Sequence, residues 1–496
     1  MYDKSDLNRE MPSRRTDRRI DRARRGSSVT SAGRRRFSDA FIARVAAKWT
    51  RAALGAALVA MPLPGSAGWA AGQAVSDEVK SAQKANNSEE SLAPELRLSD
   101  ADMAWWRDAK LGVFVHWGLY AIPAKGEWHM FNDHVPAAEY RKLLAQFDPK
   151  HFDADKWALA ARSAGARYMV MTARHHDGFS LFDSPGSYEQ FDSMHSPAHR
   201  DFIRAYVDAL RRHGLRVGIY YSPLDWRFPA YFDVKGLPDN AALFRKQTYD
   251  QVAELTSRYG KIDILWYDGG WLAHKGTDAD AAWFWHPEVL NAMVRKNQPK
   301  VVINPRSGWQ GDFNVEEGPG PISGAIRDKP WEKTFSLTIH GAWGYTPDQR
   351  LMPLDQMKRL FVDAVVRNGN MLVNVGPDAD GVIPPGQVKL LTAFGTWTRR
   401  YGESLFDTRP GPFQPVDGVY GSTHRGRAIY VHVLKWPDGE LKLPPLGQKV
   451  LHVRALTGGT VRFDQTASGI GLALDKGRRD PVDTIIRLDL AEPIGG

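Results

Sequence analysis

The sequence predicts an α/β fold: a (β/α)8-like, TIM-type barrel followed by a C-terminal β-sandwich domain. Three observations carry this reading. Short apolar runs alternate with amphipathic helical stretches over about 300 residues, the pattern of repeated βα units. No G-x-G-x-x-G follows the first run, which weakens the alternative of a doubly wound sheet. After about residue 405 the texture changes to short alternating runs with turn signals, as in an all-β domain.

Taken in order, "LGVFVHW" (111–117), "YMVMT" (168–172), "RVGIYYS" (216–222), "KIDILWYD" (261–268), "KVVIN" (300–304) and "NMLVNVG" (370–376) read as strands. Between them lie helices. "DFIRAYVDALRRHG" (201–214) places Phe202, Ile203, Tyr206, Val207 and Leu210 on one face, with Gly214 as C-cap. "LDQMKRLFVDAVVRNG" (354–369) repeats the spacing with Leu354, Met357, Leu360, Phe361, Ala364 and Val365. Both stripes are core. The barrel is assigned to 98–405 and the sandwich to 406–496, where "PDG" turns a hairpin and "TIIRLDL" (484–490) alternates.

The net charge of +9 belongs to the leader. Residues 1–51 hold 15 of the 66 basic and 6 of the 57 acidic residues, leaving 51 of each beyond. Nucleic-acid binding by the folded body loses its main support. Residues 1–74 read as a basic leader and signal peptide, and 75–97 as a polar linker. Arg34, Arg35 and Phe37 loosely resemble a twin-arginine signal, and small residues precede a cut near Ala71 to Ala74. Pro62 and Pro64 make the apolar stretch a poor membrane span. The expectation is a periplasmic or secreted protein with no membrane association after processing; a disordered basic tail is the plainer alternative. With no Cys, disulfides and thiolate chemistry are excluded.

Barrel chemistry sits at the C-terminal ends of strands. That rule selects His116, His175, His176, Tyr220 and Asp268. Adjacent histidines in "TARHHDGFSLF" (172–182) diverge more than metal ligands should, and no H-E-x-x-H occurs. Neutral imidazoles can instead exchange hydrogen bonds with hydroxyls; core histidines are the plainer reading. Asp268 shares a strand face with Ile264 and Trp266 and precedes Gly269-Gly270, which suits a nucleophile. Asp263 points the other way and reads as structural. A general acid/base must accompany the nucleophile. Glu316 and Glu317 in "GDFNVEEGPG" read as a Gly/Pro-rich loop after a strand, and Glu332 follows Trp331, where desolvation would raise its pKa. Spacing alone leaves Glu317 and Glu332 open.

These residues resemble the retaining α-L-fucosidases of glycoside hydrolase family 29. The likeness rests on "WWRDAKLGVFVHWGLYAIPA" (105–124), "GEW" (126–128), "ARYMVMTARHHDGFSLFDS" (166–184), "VGIYYSPLDW" (217–226), "GKIDILWYDG" (260–269) and "GNMLVNVGPDADGVIPP" (369–385), in that order. It implies an exo-acting hydrolase that removes terminal α-L-fucose from fucosylated glycans through a covalent glycosyl-enzyme. It implies Asp268 as nucleophile with Trp266 beside it and Tyr220 as a donor to it. His116, Glu127, Trp128, His175 and His176 match sugar-gripping positions, Phe114 and Trp343 walls for the fucose methyl face. Arg306 matches an Arg on the strand before the acid/base loop. Glu317 fits the G-D-F-x-x-x-E form and is the first choice as acid/base; Glu332 fits a W-E motif and is the alternative. No metal and no cofactor are implied, and a homo-oligomer is compatible. Three departures stand out: "EWH" for "EWY" at His129, "NPRSG" (304–308) for "NDRWG", and Gly269 where some members carry a larger residue. A catalytically inactive, lectin-like fucose binder and a metal-dependent hydrolase are the competing functions.

Overall fold

In the computed structural model, residues 93–273 and 281–494 are described. The leader and most of the linker lie outside them. The barrel strands are β1 (Leu111–Val115), β2 (Tyr168–Arg174), β3 (Arg216–Tyr221), β4 (Ile264–Tyr267), β5 (Val302–Ile303), β6 (Asn314–Glu317), β7 (Trp331–Ser336) and β8 (Gly369–Val375). All pair in parallel, in the order β5-β4-β3-β2-β1-β8-β7-β6. The helices are α1 (Asp100–Ala109), α2 (Ala154–Ser163), α3 (Phe202–Arg212), α4 (Pro238–Arg258), α5 (Pro287–Asn297), α6 (Leu354–Val365) and α7 (Pro385–Tyr401), with shorter turns between. The six expected strands and both expected helices are present. Gly214 has φ +67°, as the C-cap of α3 requires, and Asp201 caps its other end by accepting from Arg204 N at 2.7 Å.

Alternation sorts the strand residues into two cores. Leu111, Val113, Met169, Met171, Val217, Ile219, Leu265 and Tyr267 pack outward with the helices. Phe114, Tyr168, Val170, Tyr220, Ile264, Trp266, Val302, Val315 and Leu372 fill the interior with Met103 and Trp106 of α1. Gly112 is one of the interior positions, and any Cβ there would lie 2.3 Å from the Tyr168 ring.

Two strands, β6 and β7, are not among the six sequence-based strands. The "VEE" segment reads as loop because Gly and Pro flank it and Glu is a poor strand former. Parallel pairing with β7 overrides that preference. No helix separates β5 from β6, or β6 from β7, which removes the helical signal that would have framed these strands.

No ladder joins β5 to β6. Asp312 closes that seam. Its N–H donates to Ile303 O at 2.7 Å, and its carboxylate accepts from Ile303 N at 2.8 Å, Leu98 N at 2.9 Å and Arg295 Nη2 at 2.7 Å. Asp312→Ala strands two amides and a cation, and we expect it to cost about 3 kcal/mol. A urea melt with an unchanged midpoint would show that the seam holds without the carboxylate.

Beyond the barrel, β9 (Arg409–Pro410), β10 (Tyr420–Arg425), β11 (Ala428–Val433), β12 (Leu441–Leu443), β13 (Val450–Ala455), β14 (Arg462–Thr466), β15 (Gly469–Ala473) and β16 (Thr484–Leu490) form two antiparallel sheets. Ile429, Val431, Ile486 and Leu488 of one pack with Leu441, Leu443, Ile470 and Leu472 of the other. This is the expected sandwich.

Candidate active site

The interior faces of β1, β3, β4, β6 and β8 continue past the strand ends into one cluster. Asp268 follows Trp266 on β4 and remains 14% exposed at its side chain. Its Oδ1 accepts from Arg306 Nη1 at 2.8 Å and its Oδ2 from the Tyr220 hydroxyl at 3.0 Å. His176 Nε2 lies 3.6 Å from Oδ2. Burial alone would raise this carboxyl's pKa. The Arg306 cation, His176 and the two hydrogen bonds outweigh burial and hold it below the ordinary Asp value.

Arg306 sits on the turn after β5 rather than on a strand. Its other nitrogen, Nη2, donates to Glu317 Oε2 at 2.7 Å, so one guanidinium touches both carboxylates. Its plane also lies 5.2 Å from the Trp266 ring, a cation–π contact. Flanked by two carboxylates, Arg306 stays charged in spite of burial.

Strand β6 explains which Glu faces the site. Val315 and Glu317 share the interior face. Glu316 points outward, where Lys333 Nζ reaches it at 2.6 Å and Arg327 also bonds it. Glu332 lies one interior layer deeper, because it pairs with Val315 while Glu317 pairs with Thr334. It is 1% exposed. The Tyr168 hydroxyl donates to its Oε1 at 2.5 Å and Trp266 Nε1 to its Oε2 at 3.1 Å. Burial pushes its pKa up to about 7. The structure therefore brings Glu317, not Glu332, to the same guanidinium as Asp268.

Rings line the rest of the mouth. His175 stacks on Tyr220 with centroids 5.6 Å apart and lies 4.1 Å from His176. Burial and the neighbouring cationic and imidazole groups keep His175 neutral, and its buried Nδ1 has no protein partner. His176 Nδ1 is 2.7 Å from Ser222 Oγ, and its ring meets Trp128 and Trp226. His116 Nδ1 is 2.7 Å from Asn374 Oδ1. Trp343 packs 5.0 Å from His116 and 6.0 Å from Phe114. Glu127 Oε2 accepts from Trp343 N at 2.9 Å and Gly344 N at 2.8 Å, so half of its carboxylate shapes the Trp343 loop. Asp177 takes no part: Tyr140 donates to it at 2.8 Å, away from the mouth. Among the described residues no group of three or more His, Asp or Glu is arranged to hold a metal ion.

Sequence reasoning missed Asn374, Ser222 and Trp226. Asn374 was the most legible of these, being a polar residue in the interior register near the end of a strand.

A model of the α-L-fucosidase family matches residues 78–403. The chain belongs to the α-L-fucosidase family. It is 30% identical to the tissue α-L-fucosidase of Mus musculus over 366 residues, 68% of this chain and 78% of that protein. Among solved structures it resembles α-L-fucosidase isoenzyme 1 from Paenibacillus thiaminolyticus, at 33% identity and TM-score 0.68, covering 79% of this chain and 99% of that one. It also resembles a family 29 α-L-fucosidase from Bacteroides thetaiotaomicron, solved as a trapped covalent intermediate with 2-fluoro-fucosyl fluoride. There the identity is 28% and the TM-score 0.71, covering 81% and 98%.

The departures from the fucosidase pattern have local causes. Gly269 has φ +77°, and a Cβ there would sit 3.0 Å from His176 Cε1. A side chain at this position is thus both strained and crowded. Ser307 is buried and accepts from Asn291 Nδ2 at 3.0 Å. His129 Nδ1 pairs with Asp133 at 2.8 Å, on the helical turn leaving the mouth.

Proposed function

We propose that this protein is a retaining exo-α-L-fucosidase that releases terminal fucose from fucosylated glycans, with Asp268 as nucleophile and Glu317 as acid/base. The observation that carries the assignment of roles is Arg306, whose one guanidinium touches both carboxylates. In the first step an Asp268 oxygen attacks the anomeric carbon, the glycosidic bond breaks, and Glu317 gives its proton to the departing oxygen. Asp268 becomes a neutral ester as Glu317 becomes an anion. The pair carries one negative charge before and after, and Arg306 stays in contact with it throughout. In the second step Glu317 takes a proton from water, the water oxygen attacks the anomeric carbon, and the ester bond breaks.

The remaining residues suit a hydroxyl-rich ring. His116, His175, His176, Glu127 and Trp128 surround the mouth with three imidazoles, of which burial keeps His116 and His175 neutral, an indole and one carboxylate. Phe114 and Trp343 supply apolar surface for the methyl group. Tyr220 donates to the nucleophile and keeps it ionised. A lectin-like binder would have no use for an arginine shared between two carboxylates, which favours the enzyme.

The test is hydrolysis of 4-nitrophenyl α-L-fucoside, with and without EDTA, followed by proton NMR. We expect release insensitive to EDTA and α-fucose as the first anomer seen. No release from folded protein, or the β anomer appearing first, would overturn the reading.

A further inference from the structure

We propose that Asn374 is a positioning residue that fixes His116 as its Nδ1–H tautomer, leaving Nε2, on the opposite edge of the ring, as a hydrogen-bond acceptor. A backbone carbonyl sets the orientation of the Asn374 amide. Asn374 Nδ2 lies 2.7 Å from Trp343 O. A carbonyl oxygen only accepts, so the amide must present its NH₂ on that side. Its oxygen then faces His116 Nδ1 at 2.7 Å. An amide oxygen also only accepts, so Nδ1 carries the hydrogen. Burial pulls the His116 pKa down to about 4, so near neutral pH the ring holds one proton and Nε2 keeps its lone pair.

The location makes this consequential. Asn374 pairs in register with Phe114, two residues before His116, and His116 N donates to Val375 O at 3.2 Å. Strand β8 therefore holds the imidazole from both its backbone and its side chain. The same amide ties down the carbonyl of Trp343, whose N–H is held by Glu127. One side chain thus couples the tautomer of His116 to the placement of the indole beside it. On the fucosidase reading, a sugar hydroxyl must donate to His116 Nε2 and cannot accept from it.

The test is nitrogen NMR of the substrate-free protein near neutral pH, with the variants Asn374→Asp and Asn374→Leu. The wild type should show a protonated Nδ1 and a bare Nε2 for His116. Asn374→Asp keeps an acceptor for Nδ1–H and should keep that signature, while losing the donor to Trp343 O and raising KM. Asn374→Leu should lose the signature, and kcat/KM on 4-nitrophenyl α-L-fucoside should fall on the order of 10- to 100-fold, as when other imidazole-orienting groups are removed. An Nε2–H tautomer in the wild type, or a wild-type spectrum in Asn374→Leu, would overturn the proposal. If the leucine variant fails to fold, the wild-type spectrum alone decides. Because the spectrum is read without substrate, failure to cleave the fucoside would sink the functional reading and leave the tautomer assignment standing.

Discussion

Asp268→Ala is expected to lower kcat on 4-nitrophenyl α-L-fucoside by roughly 10⁴-fold or more, because no other group can form the glycosyl-enzyme. The structure gives Asp268 what a nucleophile needs. Arg306 and Tyr220 each hold one oxygen, and the cation keeps the carboxyl ionised despite its burial. Alanine at this position leaves Arg306 still paired with Glu317, so the fold should survive and the loss should be one of chemistry. The same substitution opens a small anion-sized space beside a guanidinium. Added azide should enter it and attack the anomeric carbon from the face the carboxylate used. One displacement replaces two, so the expected product is β-fucosyl azide, with partial recovery of 4-nitrophenol release. Wild-type turnover in the variant would remove Asp268 from the mechanism.

Much of this architecture was legible in the sequence, for physical reasons that also explain the gaps. Strands buried on both faces write continuous apolar runs, and β1 to β4 and β8 have them. Helices α3 and α6 write their 3.6-residue stripes. Strand β6 writes neither, since its four residues are Asn314, Val315, Glu316 and Glu317 and no helix brackets it. The site followed the same division. Asp268 was readable because its strand, its register and the glycines after it are all local. The choice between Glu317 and Glu332 was not, because it turns on depth within the barrel. Depth is set by the register of β6 on β7, which no spacing along the chain reveals. Local reasoning even pointed to a raised pKa at Glu332 beside Trp331. The raised pKa is present, but its cause is burial among Tyr168 and Trp266, and Trp331 itself faces the helices.

That depth separates two carboxylates by experiment. Glu317→Ala should depend strongly on the leaving group. With a fucosylated oligosaccharide, whose departing oxygen needs a proton, kcat/KM should drop roughly 10²- to 10⁴-fold. With 4-nitrophenyl fucoside, whose phenolate leaves unaided, the fucosylation step should lose far less, and azide should relieve the slow second step because it needs no general base. Glu332→Gln should behave otherwise. Glutamine offers one oxygen where Tyr168 and Trp266 each require an acceptor, so one buried donor is left facing an NH₂. The expected cost is about 1–3 kcal/mol of stability, with an activity loss equal for good and poor leaving groups. The two carboxylates would exchange roles if the leaving-group dependence followed Glu332 instead. The reason to expect it to follow Glu317 is electrostatic. A proton leaving Glu317 leaves a carboxylate already paired with Arg306, at the moment Asp268 gives up its own claim on that cation. A proton leaving Glu332 would strand an anion one layer down, where its hydrogen-bond partners among the described residues are the neutral donors Tyr168 and Trp266.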